Sequence, residues 1–512
     1  EATRFTNAWK VFNSDIKRWA YQQDQLVTTH PIAGAAGDTE EAFLNFDGIT
    51  YGKGASVLKQ LVQAVGREGF RDGMRLYFRR FAWANARLAD FLGCLEEASG
   101  QPLDEWARLW LGTASVNTLA ASWQTSDDDR LTGLTLHQSA PEAFPTLRPH
   151  ALEIGLGREQ SGRLVVESLA ARIDGPAADV PEAVGRPAPE LVFPNHADHA
   201  YAKVALDDRS LAYVREGLDR VDDQLLRQLL WMSLWEMVRD GQLSSLDFLD
   251  IGRRQLPAET DLDIVDSILQ RMALTQSRYV PEARRLDEAH ATFEVALEAV
   301  RGATSSDGRI IWARAAITAA AAREDVEQLT QLRDDPSGLD RFRFDQEMRW
   351  EIAVKAVAYD LPGAMDQLAT EEQRDHSDRG QRARIRAHAA RPTAEAKSEA
   401  WQRIHGDGYG SFHVTRAAMQ GFWWIHQAEL LAPYAGRFFD QVRAIFEKRD
   451  HPFARAYMLT MYPSYRSEAE VLDRSNSLLS SLNGDLPTLS RQLAEAADEL
   501  SRAIRVRERA GG

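Results

Sequence analysis

The chain has 512 residues, 44% of them apolar and 27% charged, with a formal net charge of −15. That length suits about three domains with sizeable cores. The acidic balance argues against a nucleic-acid binder. No Lys/Arg-rich amphipathic helix marks an anionic membrane surface, and no run of 18 apolar residues is present to span one.

Residues 1 to about 117 read as helical. In Lys53–Val65, the side chains of Val57, Leu58, Leu61, Val62 and Val65 fall on one stripe, and Gly66 suits a C-terminal cap. Phe70, Met74, Tyr77, Phe78 and Phe81 form the next pattern. The single cysteine, Cys94, sits between Leu92 and Leu95 and reads as a buried small hydrophobe. An internal disulfide is thereby excluded, which fits a reducing, cytoplasmic compartment. Pro102 suits a helix start before Leu103, Trp106, Leu109, Trp110 and Leu111.

Residues 118 to 208 change character. Short β-type runs occur at 119–124, 131–137, 151–156, 164–169, 191–194 and 201–206, and turn-like stretches separate them. This spacing predicts a small β-sandwich. Asp127, Asp128 and Asp129 read as a solvated hairpin turn and not as a metal site.

From 209 to the end helical periodicity dominates, as in 225–238, 311–322, 348–358, 417–431 and 438–446, with Pro257, Pro336, Pro362, Pro392 and Pro433 as punctuation. No clean repeat is present. The expectation is a mainly α multidomain protein: a helical part at 1–117, a β-sandwich at 118–208 and a superhelical α domain at 209–512.

The most informative segment runs from Phe46-Asp47-Gly48-Ile49-Thr50-Tyr51-Gly52-Lys53-Gly54 to Ala55-Ser56-Val57-Leu58. Its glycines invite comparison with a phosphate loop. That loop needs four residues between its glycines and then Lys-Ser/Thr; here three separate Gly48 from Gly52, Gly54 follows the lysine, and no strand precedes.

Three further features stand in order with it: Thr29-His30-Pro31-Ile32, followed by Glu40 and Glu41; Trp106-x-x-x-Trp110-Leu111; and Phe193-Pro194-Asn195 with Tyr201. On this ordered set the chain resembles the aminopeptidase N family of zinc exopeptidases. The resemblance implies a helical remnant of a thermolysin-like catalytic domain, a sandwich and a helical C-terminal domain. It also implies that Tyr51, the tyrosine of Tyr-x-Lys-Gly, is catalytic and donates a hydrogen bond to the tetrahedral intermediate formed when metal-activated water attacks a peptide carbonyl. A neutral phenol with an ordinary pKa near 10 suits that task at neutral pH.

The family's zinc motif is His-Glu-x-x-His with a downstream Glu. None of the 12 histidines begins it, and the Gly-x-Met-Glu-Asn segment that binds the substrate amine is also absent. In the family both precede the segment that opens this chain. The expectation is therefore the C-terminal portion of a zinc aminopeptidase, truncated or naturally split, and inactive without its N-terminal partner portion. Exposed apolar surface is expected on residues 1–117.

Other candidates read as structural. His196-x-x-His199 lies in a turn without an acidic partner at the usual spacing. His405 and His413 flank a glycine-rich helix connection, and Trp423-Trp424 with Phe422, Ile425 and Leu430 reads as the core of a buried helix. Two readings follow: a zinc aminopeptidase acting on peptide substrates, or a non-catalytic α-solenoid module that binds peptides or partners. An epoxide hydrolase of the leukotriene type shares the fold and ranks below both.

Overall fold

The computed structural model describes residues 7–34, 46–340, 342–464 and 469–510. Two compact units divide between Asp240 and Gly241.

The first unit opens with α1, a helix that passes from Ala8–Phe12 through a π turn, Asn13–Lys17, into Arg18–Asp24. A second π turn, Ile49–Lys53, leads into α2 (Gly54–Val65). Next come α3 (Arg67–Arg80), α4 (Leu88–Ser99) and α5 (Asp104–Leu111). Gly66 separates α2 from α3 at φ +80°, a conformation costly for a residue with a Cβ. Cys94 is buried, as its pattern predicts. Among the described residues of this segment Val27, Phe46, Leu58, Phe78 and Trp83 are exposed, in line with the apolar surface expected there.

The strands are β1 (Asn117–Thr125), β2 (Leu131–Ser139), β3 (His150–Gln160), β4 (Arg163–Ile173), β5 (Ala177–Asp179), β6 (Leu191–His196) and β7 (Ala202–Ala205), and all but β5 overlap the six β-type runs of the sequence. The short β5 has no apolar alternation and escapes a pattern search. The strands form two sheets, β5-β2-β1-β7 and β4-β3-β6. Leu119, Leu134 and Leu136 of one sheet share a core with Leu152, Ile154 and Val192 of the other. Pro194 sits in β6, an edge strand, where a missing N–H costs no ladder bond. The unit closes with α6 (Asp208–Gly217) and α7 (Gln224–Arg239).

The second unit is helical throughout its described length: α8 (Ser245–Gln255), α9 (Leu262–Arg278), α10 (Arg285–Gly302), α11 (Ser306–Ala319), α12 (Arg323–Asp334), α13 (Gln346–Ala358) and α14 (Ala364–Arg374). There follow α15 (Asp378–Ala390), α16 (Ala394–His405), α17 (Phe412–Gln420), α18 (Ala428–Lys448), α19 (His451–Met461), α20 (Ala469–Leu482) and α21 (Pro487–Ala510). Helices α9, α11, α13, α15, α17 and α19 each touch the next in that series, so alternate helices build one layer. N-caps by Ser, Thr and Asp side chains start many of them, such as Asp261, Ser305, Asp345, Ser377 and Thr393.

Two expectations change here. The run 417–431 is not one helix: α17 ends at Gln420, and residues 421–427 form a loop with a short 3-10 turn. Trp423 and Trp424 lie in that loop, half-buried, and only Phe422 is in the core. Pro433 does not end a helix either. It lies inside α18 as its sixth residue, where its missing N–H forgoes the helical bond to the Glu429 carbonyl.

No helix of the described residues is long and apolar enough to cross a membrane.

Candidate functional site

The segment singled out by sequence is built against α1. Gly48 and Gly52 lie four residues apart and both face that helix. A Cβ on Gly48 would come within 2.8 Å of the Trp19 and Ala20 backbone, and one on Gly52 within 2.5 Å of the Ile16 carbonyl oxygen. The glycines permit close helix approach.

Asp47 starts the π turn. It is buried, and its Oδ1 accepts from the backbone N–H groups of Ile49 and Thr50, both at 3.0 Å. Its Oδ2 lies 2.8 Å from Nε2 of His30, whose Nδ1 lies 2.9 Å from the Pro31 carbonyl oxygen. Thus His30-Pro31, one sequence feature, clamps the start of another. Glu40 and Glu41 lie outside the described residues.

Tyr51 stands on this turn, 46% exposed, with its ring edge-on to Phe46 at 4.8 Å between centroids. Its hydroxyl has no hydrogen-bond partner among the described residues. The buried face of the same turn carries Lys53. This lysine is fully buried, 3.0 Å from an Asp24 carboxylate oxygen, and donates to the carbonyls of Thr113 (3.3 Å) and Ser115 (3.1 Å). Burial lowers its pKa to about 8 against the opposing pull of Asp24. The Tyr-x-Lys pair therefore divides its labour: Tyr51 points to the accessible side and Lys53 anchors the turn.

The remaining motif residues brace the same unit. Trp110 is wholly buried, and its indole N–H donates to the Pro149 carbonyl (3.0 Å). Arg148, which sequence reasoning missed, fans its guanidinium onto Leu109, Thr113, Ala114 and Asn117. Its isolated position in a Pro-rich loop gives no local signal. Asn195 bonds both backbone groups of Ala200, and the turn so formed aims Asp198 at Lys17 and Asn13 of α1. Tyr201 is buried with its ring 5.0 Å between centroids from that of Tyr21, and burial followed by Asp24 raises its phenol pKa.

His196 and His199 both approach Glu153, at 3.8 and 3.4 Å, an acidic neighbour that sequence spacing did not show. Even so, no group of three or more His, Cys, Asp or Glu among the described residues could hold a metal ion. The zinc that the resemblance implies thus has no ligand set among them. Asp127–Asp129 form the expected turn between β1 and β2, and the glycine stretch 406–410 is a helix connection.

Comparison with known proteins agrees with this architecture. The Peptidase family M1 domain matches residues 2–110, and the ERAP1-like C-terminal domain matches residues 191–502. These define a peptidase-domain segment joined to a helical C-terminal domain. The chain is 36% identical over 512 aligned residues to aminopeptidase N of Streptomyces lividans, covering 98% of this chain and 60% of that protein. Shorter matches include the tricorn protease-interacting factor F2 of Thermoplasma volcanium, 36% identical over 118 residues, covering 22% of this chain and 15% of that protein. Glutamyl aminopeptidase of Mus musculus is 37% identical over 89 residues, covering 17% of this chain and 9% of that protein. The chain belongs to the M1 family of aminopeptidases. It spans about 60% of the length of the Streptomyces relative, and less of the others.

Proposed function

We propose that this chain is the part of a zinc-dependent aminopeptidase that supplies Tyr51 as a transition-state hydrogen-bond donor. Its segments would serve as the C-terminal helical part of a thermolysin-like catalytic domain (1–117), a β-sandwich (118–208) and a superhelical C-terminal domain (209–512). The substrates are peptides, trimmed from their N-terminus in peptide catabolism, in a cytoplasmic setting that fits the single cysteine. In such enzymes the metal supplies an activated water. None of the described residues forms its ligand set, so the residues of this chain contribute orientation and charge stabilisation, and the chain by itself is inactive.

One observation carries the reading: a half-exposed phenol, whose hydroxyl has no hydrogen-bond partner among the described residues, stands on a turn fixed from behind by three separate contacts. Asp47 caps the turn, Gly52 seats it on α1, and Lys53 ties it to Asp24. A donor held this way needs no reorganisation as negative charge develops on a substrate carbonyl oxygen.

Tyr51→Phe in the complete enzyme is expected to lower kcat by about 10²–10³ with little change in KM, as for loss of one oxyanion donor. Unchanged turnover removes the assignment. The 512-residue chain alone is expected to bind no stoichiometric zinc and to release nothing from an alanine or leucine reporter. Stoichiometric zinc with activity would overturn the account of the ligands.

A further inference from the structure

The second unit holds a cavity of about 860 Å³ between α9, α10, α11, α13 and the loop 421–427. That volume lies in the range of small-molecule sites. One wall is aromatic. The rings of Tyr359 and His426 stack at 3.7 Å between centroids, and Trp424 meets Tyr359 edge-on at 6.3 Å. The facing wall is of small and aliphatic residues, among them Ala315, Ala319 and Ile311.

The aromatic wall is fixed. His426 Nε2 donates to the Ala358 carbonyl (2.9 Å), and the Gln427 amide donates to the carbonyls of Ala358 (2.8 Å) and Ala390 (3.0 Å). The Tyr359 hydroxyl donates to the Ala321 carbonyl (2.6 Å). The helix ends thus spend their free carbonyls on holding the loop, and a preformed pocket results.

Two cations line it with bonding capacity to spare. Lys355 Nζ donates to the carbonyls of Thr318 (3.2 Å) and Ala320 (2.6 Å), which leaves one ammonium proton without a partner among the described residues. Arg285 makes no hydrogen bond or ion pair among the described residues, and its Nε is sealed from solvent. A buried donor of this kind is costly unless something accepts from it. Arg314 is already paired with Glu347 (3.2 Å); Glu282 acts on Arg285 through its charge but forms no ion pair with it, and Asp266 also lines the cavity. Burial lowers the pKa of both Lys355, to about 8, and Arg285.

We propose that this cavity binds a small carboxylic acid with an aromatic or branched apolar group, the group against Tyr359, Trp424 and His426 and the carboxylate toward Arg285. The apolar body releases water from the aromatic wall, and the carboxylate fills the donors that the fold leaves open. The proposal is independent of the peptidase reading, since it concerns binding within the second unit alone.

The test is calorimetric titration of the full 512-residue chain at neutral pH with 3-phenylpropionate, with its amide, and with the tripeptide Ala-Ala-Phe. The acid is expected to bind at one site, at least tenfold more tightly than the amide. Arg285→Gln, at a partly exposed and unpaired position, is expected to keep the parent melting temperature and to weaken the acid about tenfold while leaving the amide unchanged. Equal binding of acid and amide, no binding of the acid, or acid affinity unaltered in Arg285→Gln each overturns the proposal. Binding confined to the tripeptide overturns the assignment to a small free acid.

Discussion

Nε2 of His30 lies 2.8 Å from Oδ2 of Asp47, and the other oxygen of that carboxylate caps the turn carrying Tyr51. Two sequence features 17 residues apart therefore act as one device. Asp47→Ala removes both the cap and the His30 contact. It is expected to destabilise the first unit by about 1–2 kcal/mol, the usual worth of such a cap. In the complete enzyme kcat should fall about tenfold through misplacement of the Tyr51 phenol. Asp47→Asn keeps an acceptor for the two N–H groups and should recover most of both losses. Equal kcat for Asp47→Ala and the parent would show that the turn needs no such support.

Gly52 has no room for a methyl group. A Cβ there would meet the Ile16 carbonyl oxygen at 2.5 Å and the Ala20 Cβ at 2.8 Å. The nearest obstacle is backbone, which cannot swing aside. Gly52→Ala should cost about 1–3 kcal/mol by overpacking and push the π turn away from α1. Gly54→Ala serves as the control, because its Cβ would meet only the Ile32 side chain at 4.0 Å. Chemical denaturation of the two variants should separate them clearly; similar midpoints would argue that α1 moves freely.

Asp24 joins α1, the π turn and the approach to β1. Its carboxylate is 3.0 Å from Lys53 Nζ and accepts from Thr29 Oγ1 (2.6 Å) and the Ser115 N–H (2.9 Å). Both members of the ion pair are fully buried. Asp24→Ala leaves a buried ammonium without its counter-charge and should destabilise the unit by about 3–5 kcal/mol. The double variant Asp24→Ala with Lys53→Met should recover part of that loss. Absence of any recovery would assign the damage to the lost backbone contacts alone.

Lys397 supplies a pH test. It is fully buried, donates to the carbonyls of Ala389 and Phe422 (2.8 Å each), and has no ion-pair partner among the described residues. Burial lowers its pKa to about 7, whereas an unfolded lysine titrates near 10.5. Between those values the unfolded chain binds a proton that the native chain lacks, so this lysine makes stability rise with pH. Below about pH 7 both states are protonated and the contribution is flat. From pH 7 to 9 the stability of the parent relative to Lys397→Met should climb by about 1.4 kcal/mol per pH unit. Melting curves of both chains across that range check this. Parallel curves would mean that the ammonium keeps its proton in the native state.

Alternation is local and made part of the sandwich legible: buried side chains recur every second residue at Asn117, Leu119 and Ala121 and again at Leu134, Leu136 and Gln138, whereas 154–157 and 191–195 are continuously buried runs. The stripe of α2 was legible at Val57, Leu61 and Val65, which are buried, but not at Leu58, which is exposed. The run 417–431 misled because Phe422 and the two tryptophans continue an apolar pattern that could fill a helix face. Gly421 interrupts it, where a Cβ would collide with the Arg386 carbonyl oxygen. That approach involves a helix 35 residues away and has no trace in the local pattern.

By itself the sequence determined the order of helical segment, sandwich and helical domain. That order follows from periodicity read within a few residues, whereas Tyr51 stood out as a candidate donor only through the family resemblance that its motif carries. Only the tertiary structure decided why those motifs exist. Gly48 and Gly52 are needed by a helix some 30 residues upstream, Lys53 is matched to Asp24, and Trp424 faces a cavity walled by four other helices. Close packing and burial of charge join residues distant in the chain, and such distances are set by the folded backbone and not by any local pattern.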